Sequence, residues 1–307
     1  MKILKNLQPG QKFFAALITY LLTSFVILIV AIGLGIIIGF LMAKSGAEEI
    51  STDKFFHNAV INSILFTVIS LIYIYPAFIL RKHFRSPSNP YFLLKRTAYR
   101  WNYLLIILFS YVAIPVFVYS YTLEAAIFGS DKYQGIFTFI INIRTNAESV
   151  SIGLLDTATT TEFILYTLTL VLLTSVGEEL IFRGIILNTL VEWMKNKHLA
   201  VISTSLLFTI FNFTSMNIVL LFLLAIFLGY LFIWSGSIWL PVLARTSIFL
   251  FYSLSRVYDT QIIKEMQIFN IGTKLSDLKY VVLFAIGVGI IVYLIYFLEK
   301  KYQQKKR

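Results

Sequence analysis

The chain has 307 residues, 58% of them hydrophobic and 13% charged, with a net charge of +11, three histidines and no cysteine. A mean hydropathy of +0.82 excludes an ordinary soluble or disordered chain, and the cysteine count excludes disulfides and thiolate-bound metals. Alternating ten-residue strands are not found, so a membrane barrel is excluded too. The expected fold class is all-α, a polytopic bundle of about eight transmembrane helices whose backbone polar groups are satisfied within each helix.

In chain order, apolar runs predict spans at roughly 13–42, 60–80, 101–120, 162–190, 199–214, 217–234, 238–254 and 280–298. The first follows Lys2, Lys5 and Lys12 and reads as a signal anchor, because its apolar run far exceeds the core of a cleavable signal peptide. Such a length must tilt or protrude. Gly35 and Gly39 within GLGIIIGF have the small-xxx-small spacing of helix packing. The segment 81–100, RKHFRSPSNPYFLLKRTAYR, is basic and amphipathic and is expected along the headgroups. The longest outer loop is 121–161, with GIFTFIINI as an interfacial or re-entrant piece. Trp101, Trp193, Trp234 and Trp239 suit interfacial anchors, and the KKYQQKKR tail suits headgroup contact. This divides the chain into N-terminal spans and loops (1–159), a core (160–255), and an outer loop with the last span and tail (256–307). No internal repeat is evident, which speaks against a repeat-built transporter.

An even number of spans puts both termini on one side. Placing that side in the cytoplasm gives the inner segments 16 of the 26 basic residues. The expectation is therefore an integral plasma-membrane protein with both termini cytoplasmic and anionic lipid headgroups as partners. No basic stretch is long or aromatic-interleaved enough for nucleic acid, so no nucleic-acid partner is expected.

Membrane physics leaves SVGEELIFRGIIL (175–187) unexplained. A charge at the centre of a membrane helix costs about 2.5–3.5 kcal/mol even on insertion scales, and Glu178, Glu179 and Arg183 fall within six residues. Glu179 and Arg183 are four apart and can pair. Glu178 is rotated by about 100° from Glu179 and is expected to face water or a group from another span. A carboxylate in a low-dielectric cavity gains basicity, as a general base requires. Two further intramembrane polar residues are candidates: Asn212, about 20 Å from the inner surface in the fifth span, and Arg245, about 12 Å deep in the seventh. Those depths are compatible with one cytoplasm-facing cavity shared with Glu178.

These residues resemble the CAAX protease and bacteriocin-processing family, glutamate-dependent intramembrane proteases of about eight helices. Its EExxxR motif is matched by Glu178, Glu179 and Arg183, followed by the usual Gly184. The second motif, FxxxH, reads Phe208-Thr-Ile-Phe-Asn212, and the third, HxxxN or HxxxD after a proline, reads Arg245-Thr-Ser-Ile-Phe249 after Pro241. The resemblance spans about residues 160–255. It implies that Glu178 activates a water, while the motif histidines and asparagine position that water and stabilise the oxyanion. Here both histidines are replaced. Asn212 offers donors but exchanges no proton, Arg245 has no acceptor, and Phe249 has neither. The family carries a metalloprotease label, yet a zinc site needs imidazole, thiolate or carboxylate ligands, and a guanidinium repels the ion. No metal and no cofactor is expected.

Three functions remain open. The favoured one is a degenerate-site membrane protein that binds or regulates another membrane or envelope protein or a peptide, in a processing or immunity setting. If Glu178 and Arg245 approach within about 4 Å, they form a buried pair that removes the glutamate's basicity and leaves a structural joint. The alternative is an active endopeptidase with Glu178 as base and Asn212 and Arg245 as oxyanion donors. The lesser alternative is a transporter whose charges line a solute path.

Overall fold

Apolar runs of this length can satisfy their own amides only by coiling, and helix is the sole regular structure among the described residues. The computed structural model describes residues 7–44, 59–84, 91, 101–112, 135, 138–142, 161, 164–165, 167–213, 218–257 and 278–305. In order these give α1 (Pro9–Lys44), α2 (Ala59–Phe84), α3 (Trp101–Val112), a π-helical stretch (Thr167–Leu173), α4 (Thr174–Ile181), a second π stretch (Phe182–Leu187), α5 (Asn188–Met194), α6 (Lys197–Phe211), α7 (Ile218–Ser235), α8 (Trp239–Val257) and α9 (Leu278–Lys305).

Each of the eight expected spans coincides with a helical stretch, so the membrane-bundle reading holds and the number eight is approximate. Three helices are long and apolar enough to cross a membrane: Pro9–Leu41, Ser63–Phe84 and Ile218–Ser235. Trp101–Ser110, Lys197–Phe211, Trp239–Leu250 and Ala285–Phe297 are apolar but shorter. The expectations for the inner loop 81–100 and the outer loop 121–161 fall mostly outside the described residues.

Hydroxyl side chains inside these helices donate to their own backbone, as polar groups must where water is absent. Ser24 donates to the Tyr20 carbonyl at 2.6 Å, Ser70 to Phe66 at 2.8 Å and Thr209 to Ser205 at 2.9 Å. Pro76 lies within α2, where it removes one backbone donor, a loss that neighbouring helices make tolerable in membrane segments.

The helices group into two compact units. The first holds the described residues up to Leu93 and those from Val150 to Ala200, which are α1, α2, the π stretches, α4 and α5. There α2 packs on α1 and on α4. Trp193 of α5 stacks on Phe13 at 5.6 Å and sits where a Cβ on Gly10 would meet it at 3.1 Å. Beside it, Lys12 Nζ pairs with Glu192 Oε2 at 3.2 Å, and the Tyr91 hydroxyl donates to Glu192 Oε1 at 3.1 Å. Tyr91 is buried in the left-handed region, with φ of 48°. The expected packing role of Gly35 is not met within the described residues: nothing lies within 4 Å of where its Cβ would be.

The second unit holds the remaining described residues, including α3, α7, α8 and α9. Its core joins Ile106 and Phe109 of α3, Leu228 of α7, Leu240 and Ile248 of α8, and Ile295 of α9. Phe109 stacks on Phe227 at 4.0 Å, and Val201 lies 3.0 Å from a Cβ built on Gly229, so α6 and α7 meet closely there. Gly236, at φ 59°, makes the tight turn between α7 and α8, with the Trp239 amide donating to Ser237 Oγ at 3.3 Å.

Candidate active site

The acidic motif sits on α4, one short α-helical piece between two π stretches. A π turn widens the helix and offsets the backbone ladder, and such turns are enriched at functional sites. The second π stretch, Phe182–Leu187, is buried throughout, so its displaced carbonyls need internal donors. Asn188 supplies one: its Nδ2 donates to the Gly184 carbonyl at 2.9 Å and to the Arg183 carbonyl at 3.3 Å. Thr189 Oγ1 donates to Ile186 at 2.8 Å. Neither residue stood out in the sequence, because an asparagine and a threonine at a helix end look like ordinary span termini.

The pairing predicted for Glu179 and Arg183 is present. Arg183 Nη1 donates to Glu179 Oε1 at 2.9 Å, and both side chains are essentially sealed, at 0% and 1% exposure. A buried pair with one partner removed leaves an uncompensated charge, which typically costs about 3–5 kcal/mol. This part of the motif therefore holds the helix together.

Glu178 is 3% exposed. The preceding residue explains how its helix reaches the unit's interior: a Cβ on Gly177 would lie 2.9 Å from Ile74 Cγ1, 3.0 Å from Tyr73 Cβ and 3.4 Å from the Ser70 carbonyl. Of the two roles open to Gly177, close helix approach is thus the one the structure shows. Ser70 and Thr174 hydroxyls bond across the same contact at 3.0 Å. Tyr20 of α1 comes within electrostatic range of Glu178, with its ring edge-on to Phe182 at 5.8 Å and stacked on Tyr73 at 6.0 Å. Sequence reading missed Tyr20, since one tyrosine among 18 in a lipid-soluble helix carries no signal of its own.

The other two candidates belong to the second unit. Asn212 lies just past the end of α6, which stops at Phe211, and not inside a span running to 214 as expected. Its backbone amide and its Nδ2 both donate to the Phe208 carbonyl at 3.0 Å. That is a helix C-terminal cap, for which asparagine is well suited. Arg245, 2% exposed on α8, places its guanidinium carbon 4.8 Å from the Phe208 ring centroid and 5.1 Å from that of Phe249. Phe249, which has no hydrogen-bonding chemistry at its motif position, thus serves as an aromatic face for the cation four residues before it. Pro241 falls in the first turn of α8, where its missing N–H has no partner to lose.

For a zinc ion this donor set does not fit. Asn212 commits its amide to its own helix, and Arg245 presents only donors. Among the described residues, no three His, Cys, Asp or Glu side chains cluster closely enough to hold a metal.

Comparison with curated proteins gives no match, and neither does comparison with solved structures. Residues 160–251, the stretch that carries all five candidate residues, match the family model of type II CAAX prenyl endopeptidases, Rce1-like, so over this segment the chain is similar to that family.

Proposed function

We propose that this is a membrane protein with a CAAX-endopeptidase-like segment whose site has lost hydrolytic capacity, and that it binds or regulates a membrane or envelope protein or a peptide. The observation that carries this reading is the fate of the positions where the family has histidines. Asn212 caps α6 with both its amides, and Arg245 is flanked by two phenyl rings. Both side chains are engaged in holding helices, and neither can shuttle a proton at neutral pH. The intact Glu179–Arg183 pair supports the same view, because a buried ion pair is retained for folding even where catalysis is gone.

A second reading is favoured by Glu178, which stays buried beside Tyr20 with its motif complete. In it the carboxylate takes a proton from the attacking water and returns it to the leaving amine, so that one group acts twice. The test uses the purified full chain in nanodiscs with a fluorescent peptide library that includes a farnesylated CAAX-type peptide. The expected result is peptide binding with no product beyond that of the Glu178→Gln variant. Turnover by the wild type that vanishes in that variant would overturn the proposal in favour of the peptidase.

A further inference from the structure

We propose that Tyr20 is a positioning residue for Glu178, donating its phenolic O–H to that carboxylate from α1. The argument starts with where the ring is held. Tyr20 is 4% exposed in the middle of a helix whose neighbouring positions are largely open to lipid. Two aromatic contacts fix it, one face against Tyr73 of α2 and an edge against Phe182, at the start of the second π stretch. Phe182 is four residues after Glu178 and so lies on the same side of the helix one turn on. Gly177 brings α4 against Tyr73 itself, at 3.0 Å from the position of its absent Cβ. The clamp on the Tyr20 ring and the approach of the acidic helix therefore share the same residues.

The hydroxyl has a defined setting as well. The Tyr20 and Tyr73 hydroxyls are hydrogen-bonded to each other, and Tyr20 is within electrostatic range of Glu178. A phenol can accept one hydrogen bond and donate another. With Tyr73 supplying the first, the Tyr20 proton is directed to the carboxylate. A tyrosine buried this deeply in an apolar helix needs a polar partner for its O–H, and a buried carboxylate needs a donor. Each satisfies the other's requirement. The inference does not rest on the function proposed above, since a carboxylate that binds and one that catalyses both need to be held.

The experiment is infrared difference spectroscopy on the full chain in nanodiscs. The Glu178 carboxyl band is assigned by its loss in Glu178→Gln and then followed in Tyr20→Phe, which keeps the ring and its packing. The expected result is a displaced Glu178 band in a variant that melts close to the wild type. An unmoved band in folded Tyr20→Phe overturns the proposal and leaves Tyr20 as packing alone. Should Tyr20→Phe fail to fold, Tyr73→Phe removes only the hydroxyl bonded to Tyr20. A smaller displacement of the same band then supports the chain of hydrogen bonds, and an unmoved band refutes it. Neither outcome depends on any peptide being bound or cut.

Discussion

Arg183 and Glu179 meet through a single 2.9 Å hydrogen bond inside a shell that excludes solvent from both. Their i,i+4 spacing survives although Arg183 lies in a π-helical stretch, because the widening begins only after the glutamate's turn. Replacing Arg183 with Met alone should destabilise the protein by about 3–5 kcal/mol, and Glu179→Gln by a similar amount. The Glu179→Met/Arg183→Met double variant should recover most of that loss, since two apolar side chains leave no buried charge. Chemical unfolding in detergent micelles, with all three variants compared, measures the coupling.

Gly177 has no room for a methyl group. Ile74 Cγ1 at 2.9 Å is the end of a flexible side chain and can give, but Tyr73 Cβ at 3.0 Å is tied to the backbone of α2. Gly177→Ala is expected to cost about 1–3 kcal/mol through overpacking, and Gly177→Val more. The control is Gly35→Ala, where open space surrounds the position and a helix gains from the exchange. Equal melting temperatures for the two alanine variants would contradict this account of the α2–α4 contact.

The helical class and the five candidate residues were legible because membrane physics makes them so. Long apolar runs leave helix as the only solution, and a charge among them stands out. The interior of the fourth expected span was not legible. Its π stretches keep the same amino acids as an α-helix would, and the donors that stabilise them, Asn188 and Thr189, look like span-end residues. Asn212 was misplaced by the same cause. A hydrophobic run continues through FNF, but the helix stops at Phe211 because the asparagine folds back on the Phe208 carbonyl. Hydropathy reads transfer energy and has no term for a cap.

Arg245 is held by rings, and that can be tested without touching its charge. Phe249→Leu keeps an apolar side chain and removes one of the two aromatic faces. A desolvated cation–π contact contributes about 2 kcal/mol, an exposed one about 0.5–1, so a loss of about 1–2 kcal/mol is expected in Phe249→Leu. Combining it with Arg245→Met should give less than the sum of the two single losses, because the interaction can be lost only once. Strict additivity in thermal or denaturant unfolding would show the rings to be bystanders.

Tyr91 gives the first unit a measurable response to alkali. Burial, followed by the nearby Glu192 carboxylate that accepts its hydrogen bond, pushes its phenol well above the ordinary value of 10.0. In the unfolded chain the group ionises near that ordinary value, while the folded protein keeps it neutral. The stability it contributes is therefore complete below about pH 10 and declines as the pH rises from there toward the folded-state value, because only the unfolded chain can release the proton. Lys12 shares the same glutamate and loses its own charge in the alkaline range, so the comparison must separate the two. Tyr91→Phe should be somewhat less stable than the wild type at neutral pH, by about 1 kcal/mol for a hydrogen bond to a charged acceptor that is lost, and should fall less steeply above pH 10. Lys12→Met should leave the tyrosine's share of the slope in place. Melting temperatures measured between pH 7 and pH 11 for the three proteins decide it: parallel curves for wild type and Tyr91→Phe would mean that the phenol already ionises in the folded state at its ordinary pH.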